Sequence, residues 1–262
     1  MNPVSFSKVT FSYENTPVLL DWSLEVQPGV TSLIGPNGTG KSTFLLLASG
    51  LLVPASGTVL LHGIDTKTLN DDSRNELASL VYQNMEFENE EPLGHLLYYV
   101  AGVGFLADKS EQRVREIAEV FELTPVLDRK TQHLSKGELQ RAVMAFALLY
   151  GSRVVVMDEP VFALEDYQKN RALAFLQEFS VDQGVSVLFS VHELELTRKY
   201  SSAVMLFSKS SPPLIGSTAK VLNRENLEWA YQVPAVLLHK KERLYRDSLV
   251  TTTQINTGGR EI

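Results

Sequence analysis

Nine consecutive residues, GPNGTGKST at positions 35–43, carry three glycines and one lysine directly behind the apolar residues Val30, Leu33 and Ile34. Glycine packs nothing and loses more freedom on folding than any other residue, so this density implies a need for bare backbone. Gly35, Gly40, Lys41 and Ser42 fit the spacing G-x-x-x-x-G-K-[ST]. In that spacing, successive N–H groups turn inward as an anion nest, and the helix that follows adds the partial positive charge of its N-terminus. Lys41 then reaches the β- and γ-phosphates of a nucleotide, and the Ser42 hydroxyl ligates Mg²⁺. Pro36, Asn37, Gly38, Thr39 and Thr43 complete the candidate phosphate site. A second chemical element is RVVVMDEP, an apolar run ending in Asp158 and Glu159. Alone, such a pair is usually a solvated turn. Beside a phosphate loop, Asp158 is expected to hold Mg²⁺ through water, and Glu159 to polarise the attacking water.

These groups need a scaffold that carries them to one edge. VSFSKVTFSY and LDWSLEVQPG alternate polar and apolar residues and predict strands, with Pro28–Gly29 as a turn. VTSLIG (30–35) reads as a buried strand, and from Lys41 the pattern turns helical through Phe44, Leu45, Leu47 and Ala48. GTVLLHG is a further strand between glycines. Residues 84 to 132 differ: acidic in MEFENEEP, then apolar at helical spacing (Leu96, Leu97, Val100), then amphipathic in SEQRVREIAEVFEL. They predict a helical insertion. Helices at about 136–150 and 166–180 lead into the strands RVVVMDE and GVSVLFS. Repeated strand–helix alternation implies a mostly parallel sheet with helices on its faces. Beyond about residue 217 an amphipathic piece, LNRENLEWAY, precedes a small polar tail, TTTQINTGGREI, that is expected to fray.

The 262 residues suffice for one large α/β domain or two smaller units, with a sizeable core. A net charge of −7 argues against non-specific nucleic-acid binding by bulk charge. With no cysteine, disulfides and thiolate metal sites are excluded. MNPVSFSKVT does not read as a secretory signal, and FLLLASGLLVPA and AVMAFALLYG fall short of the roughly 20 residues that span a bilayer. The expectation is a cytoplasmic protein that works at a membrane through a partner.

HLSKGELQRA (133–142) resembles the signature motif, usually LSGGQ, of the ATP-binding cassette (ABC) family. The family's other landmarks follow the same order. Tyr13 in FSY matches the aromatic residue that stacks on adenine, Gln83 in LVYQN the glutamine that contacts Mg²⁺ or water and senses a transmembrane partner, and His192 in FSVHEL the switch histidine. EPVFALED stands where the D-loop belongs. Each is weak alone, but their joint order over residues 2 to 217 is specific. The resemblance implies an α/β P-loop NTPase core with an N-terminal antiparallel β portion and an α-helical subdomain at about 84–150. An ATPase domain would span 1–217, with a short extension at 218–262.

The resemblance also implies ATP and Mg²⁺ as cofactors. Glu159, His192, Lys41 and Gln83 would be catalytic; Ser42, Gln83 and Asp158 would serve the metal; Tyr13 and residues 35–43 would bind ATP. Ser135 and Gly137 would touch the γ-phosphate across a head-to-tail dimer, formed by two identical copies or a paralogous pair. Lys136, Glu138 and Glu165 depart from the usual glycine, glutamine and aspartate, and Val161–Phe162 replace small polar residues. A single cassette without a membrane span, a coiled coil or cysteine modules suggests the ATPase of a membrane transporter, peripheral on the inner face of the membrane. Its partners would be permease subunits and, for an importer, a solute-binding protein, with no nucleic acid. KVLNRENLEWAYQVPAVLL (220–238) resembles the C-terminal segment of importers of iron-siderophores, haem, vitamin B12 or metal ions. LSKG and LLYYVAGVGF resemble exporter ATPases instead. The first is the preferred reading; an exporter or a non-transport soluble ABC ATPase is the alternative.

Overall fold

The computed structural model describes residues 1–82, 85, 90–209, 211–235 and 237–238. The chain opens with β1 (Val4–Tyr13) and β2 (Thr16–Val26), an antiparallel pair that runs from Val4 opposite Val26 to Tyr13 opposite Thr16, with register shifts between Phe6 and Ser12. β3 (Val30–Ile34) runs into the glycine loop and α1 (Lys41–Ala48). β4 (Ser56–Leu61) and β5 (Ile64–Asp65) return to the first sheet, giving the order β2-β1-β4-β5. α2 (Asp71–Leu77) leads into β6 (Ala78–Val81). The insertion carries α3 (Leu93–Val103) and α4 (Glu111–Val120), and α5 (Lys136–Tyr150) follows. β7 (Val154–Met157), α6 (Asp166–Gln183), β8 (Ser186–Ser190), α7 (Leu194–Tyr200), β9 (Ala203–Leu206) and β10 (Leu214–Ser217) complete the second sheet. α8 (Thr218–Val221) and α9 (Arg224–Tyr231) come last.

The second sheet has the order β10-β9-β3-β8-β7-β6 among the described residues, parallel throughout except for the β9–β10 edge pair. Every residue of β3, β7 and β8 is buried. That is why they read as continuous apolar runs: a parallel strand is covered on both faces. On one face Phe44 of α1 stacks on Phe6 of β1 at 4.8 Å and meets Phe207 edge-on at 5.9 Å, which joins the two sheets. On the other face Leu148 and Leu149 of α5 and Leu173 and Leu176 of α6 form a core continuous with Leu97 of α3 and Ile117 of α4.

The predicted strand–helix succession holds. The N-terminal strands are long, and α6 runs to Gln183. The apolar residues of the insertion divide: Leu96 and Leu97 are buried, whereas Tyr98, Tyr99 and Val103 are exposed. Val221, Leu222, Leu227 and Ala230, beyond residue 217, belong to the main core. The tail TTTQINTGGREI lies outside the described residues.

Candidate active site

Gly35 directly follows β3 at φ +140°, and a Cβ there would stand 2.5 Å from the Phe207 carbonyl oxygen, so strain and sterics both require glycine. Gly40, at φ +94°, is the N-cap of α1, and its carbonyl accepts the Phe44 N–H at 2.8 Å. No acidic residue occupies the first turn of α1, which leaves its positive end free for an external anion. The Thr39 hydroxyl donates to the Pro36 carbonyl at 2.8 Å and braces the loop. Lys41 Nζ folds over it, donating to the carbonyls of Gly35 at 2.8 Å and Pro36 at 3.0 Å. Burial holds its ammonium below the usual lysine range; Glu159 and then Asp158 pull the other way. Lys41 therefore sits within the field of both carboxylates. Asn37 and Gly38 are exposed on the loop's crest, Thr43 is buried, and Ser42 is exposed at the start of α1.

Asp158 extends the ladder one residue past β7, its N–H donating to the Val81 carbonyl at 2.8 Å. Glu159 has φ +49°, the left-handed region that a side chain rarely enters. Such a residue persists only where its surroundings over-determine it. Ser190, fully buried at the end of β8, does this: its hydroxyl accepts the Glu159 N–H at 2.8 Å and donates to Asp158 Oδ1 at 2.5 Å. The Glu159 side chain then points at His192, with Oε1 at 2.8 Å from Nε2. Since an ionised carboxylate only accepts, Nε2 carries the proton. That hydrogen bond lowers the Glu159 carboxyl below the usual glutamate range, against the opposing effect of burial and with help from the charges of His192 and Lys41.

The fold thus brings Lys41, Asp158, Glu159 and His192 together. Tyr13 stands at the end of β1, about half exposed, edge-on to Phe11 at 4.9 Å. Ser135 is the N-cap of α5 in a reciprocal box: its hydroxyl accepts the Glu138 N–H, and the Glu138 carboxylate accepts the Ser135 N–H at 2.7 Å. Arg129 pairs with Glu138 at 3.4 Å. A Cβ on Gly137 would lie 3.3 Å from the Ala163 carbonyl, so this helix start packs on the loop after Glu159. No bond joins Ser135 or Gly137 to the Lys41–Glu159 cluster among the described residues. Gln83 lies outside the described residues. Ser190 is the participant that sequence reading missed; its signal was a polar residue ending an apolar strand two positions before His192. Ser42 and Asp158 supply hard oxygen donors, and the described residues hold no cage of three or more metal-binding side chains. That donor set fits Mg²⁺, which keeps much of its shell as water and substrate phosphate.

The sequence model of the family described as ABC transporter matches residues 19–162, more than half of the chain. The chain belongs to the ABC transporter family. A protein of Methanosarcina mazei provisionally described as an ABC transporter ATP-binding protein is 28% identical over 225 residues, 83% of this chain and 49% of the relative. A Bacillus subtilis protein provisionally described as an HMP/thiamine import ATP-binding protein is 26% identical over 223 residues, 84% of this chain and 40% of the relative. This ABC chain therefore spans about half or less of those two relatives. Among solved structures, one described as the ATP-binding subunit of an ABC transporter superposes with a TM-score of 0.76 at 22% identity, over 91% of this chain and 98% of that one. The fold is that of an ABC ATPase, and the chain carries an ABC ATPase domain.

Proposed function

We propose that this ABC subunit hydrolyses Mg·ATP at the Lys41–Asp158–Glu159–His192 cluster to power a membrane permease that imports a small solute such as a metal or metal chelate. The 2.8 Å contact between Glu159 and His192, within the field of Lys41, carries the reading. Lys41 leaves its two loop carbonyls for the β- and γ-phosphates, and the amides of residues 35–43 cradle the phosphate chain. Ser42, Asp158 and Gln83 would hold Mg²⁺, which when bound neutralises developing phosphate charge. Glu159, kept ionised, takes a proton from the attacking water; His192 swings its Nε2–H to the γ-phosphate and orients that water. Tyr13 offers its exposed face to adenine. Ser135 and Gly137 serve the nucleotide of a second subunit, so each site is completed only in a dimer.

A groove of about 290 Å³ supports permease docking. It is lined by Leu51, Arg74, Asn75, Leu80, Tyr82 and Tyr150. Exposed Tyr98, Tyr99 and Val103 on α3 add apolar surface on the helical insertion, and exposed apolar patches of this kind mark interaction sites. No helix among the described residues is long and apolar enough to cross a membrane. Residues 1–217 form the catalytic unit in this reading, with the helical subdomain at about 84–150 and 218–262 as an extension. Import is favoured by the resemblance of residues 220–238 to importer ATPases and by the description of the Bacillus relative as an import ATP-binding protein. Mild-detergent purification from native membranes tests this: a polytopic permease with a solute-binding protein is expected. A permease with no binding protein would indicate export, and recovery with ribosomes or nucleic acid would overturn the transport reading.

A further inference from the structure

Lys169, on the second turn of α6, is buried, yet lysine is almost never buried without a partner. Its ammonium lies 2.6 Å from Glu193 Oε1 and 3.7 Å from Asp166 Oδ1. Glu193 directly follows His192 and is the N-cap residue of α7, where its carbonyl accepts both the N–H and the hydroxyl of Thr197 at 3.1 Å. One residue on, Asn170 accepts from Tyr200 at 2.7 Å and from Lys199 at 3.0 Å. Two successive residues of α6 thus grip the two ends of α7. Upstream, the Lys169 N–H donates to the Glu165 carbonyl at 2.9 Å, and Glu165 caps α6 through a reciprocal box with Gln168. A continuous set of contacts leads from the 159–165 loop through the first turns of α6 to the residue beside His192.

We infer that the Lys169–Glu193 ion pair is a positioning strut: it fixes the backbone of His192 against Glu159 and makes that position depend on the 159–165 loop. The inference rests on the reading of Glu159 and His192 given above. Lys169 touches neither nucleotide nor water; it acts through Glu193. A buried ion pair adds little net stability over apolar residues of the same volume, because desolvation offsets the attraction. Position is another matter: displacement of a reacting group by about 1 Å can cost on the order of 10²-fold in rate.

Lys169→Met/Glu193→Leu replaces the pair with apolar side chains and leaves no buried charge unpartnered. In steady-state ATP hydrolysis by the full chain, kcat is expected to fall at least about tenfold, while KM for ATP stays within about twofold. Lys169→Arg, which keeps the charge, is expected to retain most of the rate. A double variant with wild-type kcat overturns the strut. If the double variant does not fold, Glu193→Gln keeps the shape and an acceptor while removing the charge; a kcat reduced about threefold or more at unchanged KM supports the strut, and an unchanged kcat overturns it. His192→Ala is measured alongside. Full turnover in His192→Ala would sink the underlying site reading. Loss of turnover there, with normal turnover in Lys169→Met/Glu193→Leu, would sink the strut alone.

Discussion

Glu159 combines an unfavourable backbone with the side chain proposed as the base, and the two residues that flank Val191 hold one each. Its φ of +49° is held by a bond from its N–H to Ser190, and its carboxylate by a bond to His192. Glu159→Gln preserves the shape and the surrounding hydrogen bonds but cannot take a proton. We expect it to bind ATP with unchanged affinity and to lose about 10²–10⁴-fold in turnover, measured by nucleotide titration and phosphate release. Wild-type turnover in that variant would remove Glu159 as the base. Ser190→Ala tests the backbone instead: it leaves the Glu159 N–H without its acceptor and Asp158 without its donor. We expect a loss of about 1–3 kcal/mol in urea unfolding together with a lower kcat. A stable variant with reduced turnover would assign Ser190 to alignment alone; no change in either quantity would contradict the over-determined turn. Lys41→Ala removes the one ammonium that the loop folds around and should abolish ATP binding at concentrations that saturate the wild type.

Three helices meet at Glu122, a residue the sequence gives no reason to single out. It follows α4, and its carboxylate accepts from Arg141 of α5 at 3.0 Å, from Arg171 of α6 at 3.3 Å, and from Gln168 and Tyr167 of α6 at 2.9 and 3.2 Å. This ties the helical insertion to the helix that begins at Ser135 and to the one that begins beside Glu165. The hydrogen bond from Gln168, then those of Tyr167 and the arginine charges, holds the carboxyl below the usual glutamate range, with burial opposing. A depressed folded value means that this stabilisation is present above the ordinary value of about 4.3 and is lost as pH falls through the folded one. Glu122→Ala should cost about 1–3 kcal/mol at pH 7, because it also strands the mostly buried Arg141. It should cost less near pH 3, where the wild type has begun to lose the contribution; an equal loss at both pH values would contradict the charged hub. Elements of this kind show what was legible. The apolar runs of β3, β7 and β8 lie within a few residues, and were read directly. α2, α7, β9 and β10 are short, and the partners of Glu122 and Ser190 lie 19 to 49 residues away, so only the folded chain brings them together.

At the scale of the molecule, what needs explaining is that, among the described residues, no bond joins the glycine-loop cluster to the start of α5. In the function proposed above, one half-site is the glycine loop with Asp158, Glu159 and His192, and the other is the α5 N-terminus, where Ser135 and Gly137 sit among charged residues of this chain. The Ser135 N–H is already taken by Glu138, and Arg129 balances that carboxylate. The side chain of Lys136 stands exposed at the helix start. A second copy placed head to tail would set the start of α5 over the γ-phosphate held by Lys41, and ATP would then link two subunits that each lack half of a site. Nucleotide should therefore control association. With Mg·ATP, Glu159→Gln, which binds but does not turn over, is expected to sediment at twice the monomer mass; with ADP or without nucleotide it is expected to remain at 29.2 kDa. Lys41→Ala/Glu159→Gln should stay monomeric under both conditions, since it cannot hold the linking phosphate. In the wild type the rate per subunit should rise with protein concentration until the dimer saturates. A rate per subunit that is flat from nanomolar to micromolar protein, with a monomeric Glu159→Gln in Mg·ATP, would show that identical copies do not complete each other's sites. Mixing with a candidate paralogous subunit would then ask whether that chain supplies the missing half. The ion pair of Glu138 with Arg129 predicts a further dependence: raising salt weakens exposed charge pairs and long-range attraction to phosphate together, so the ATP-induced dimer should loosen as ionic strength passes about 0.15 M, where charges are screened beyond about 8 Å.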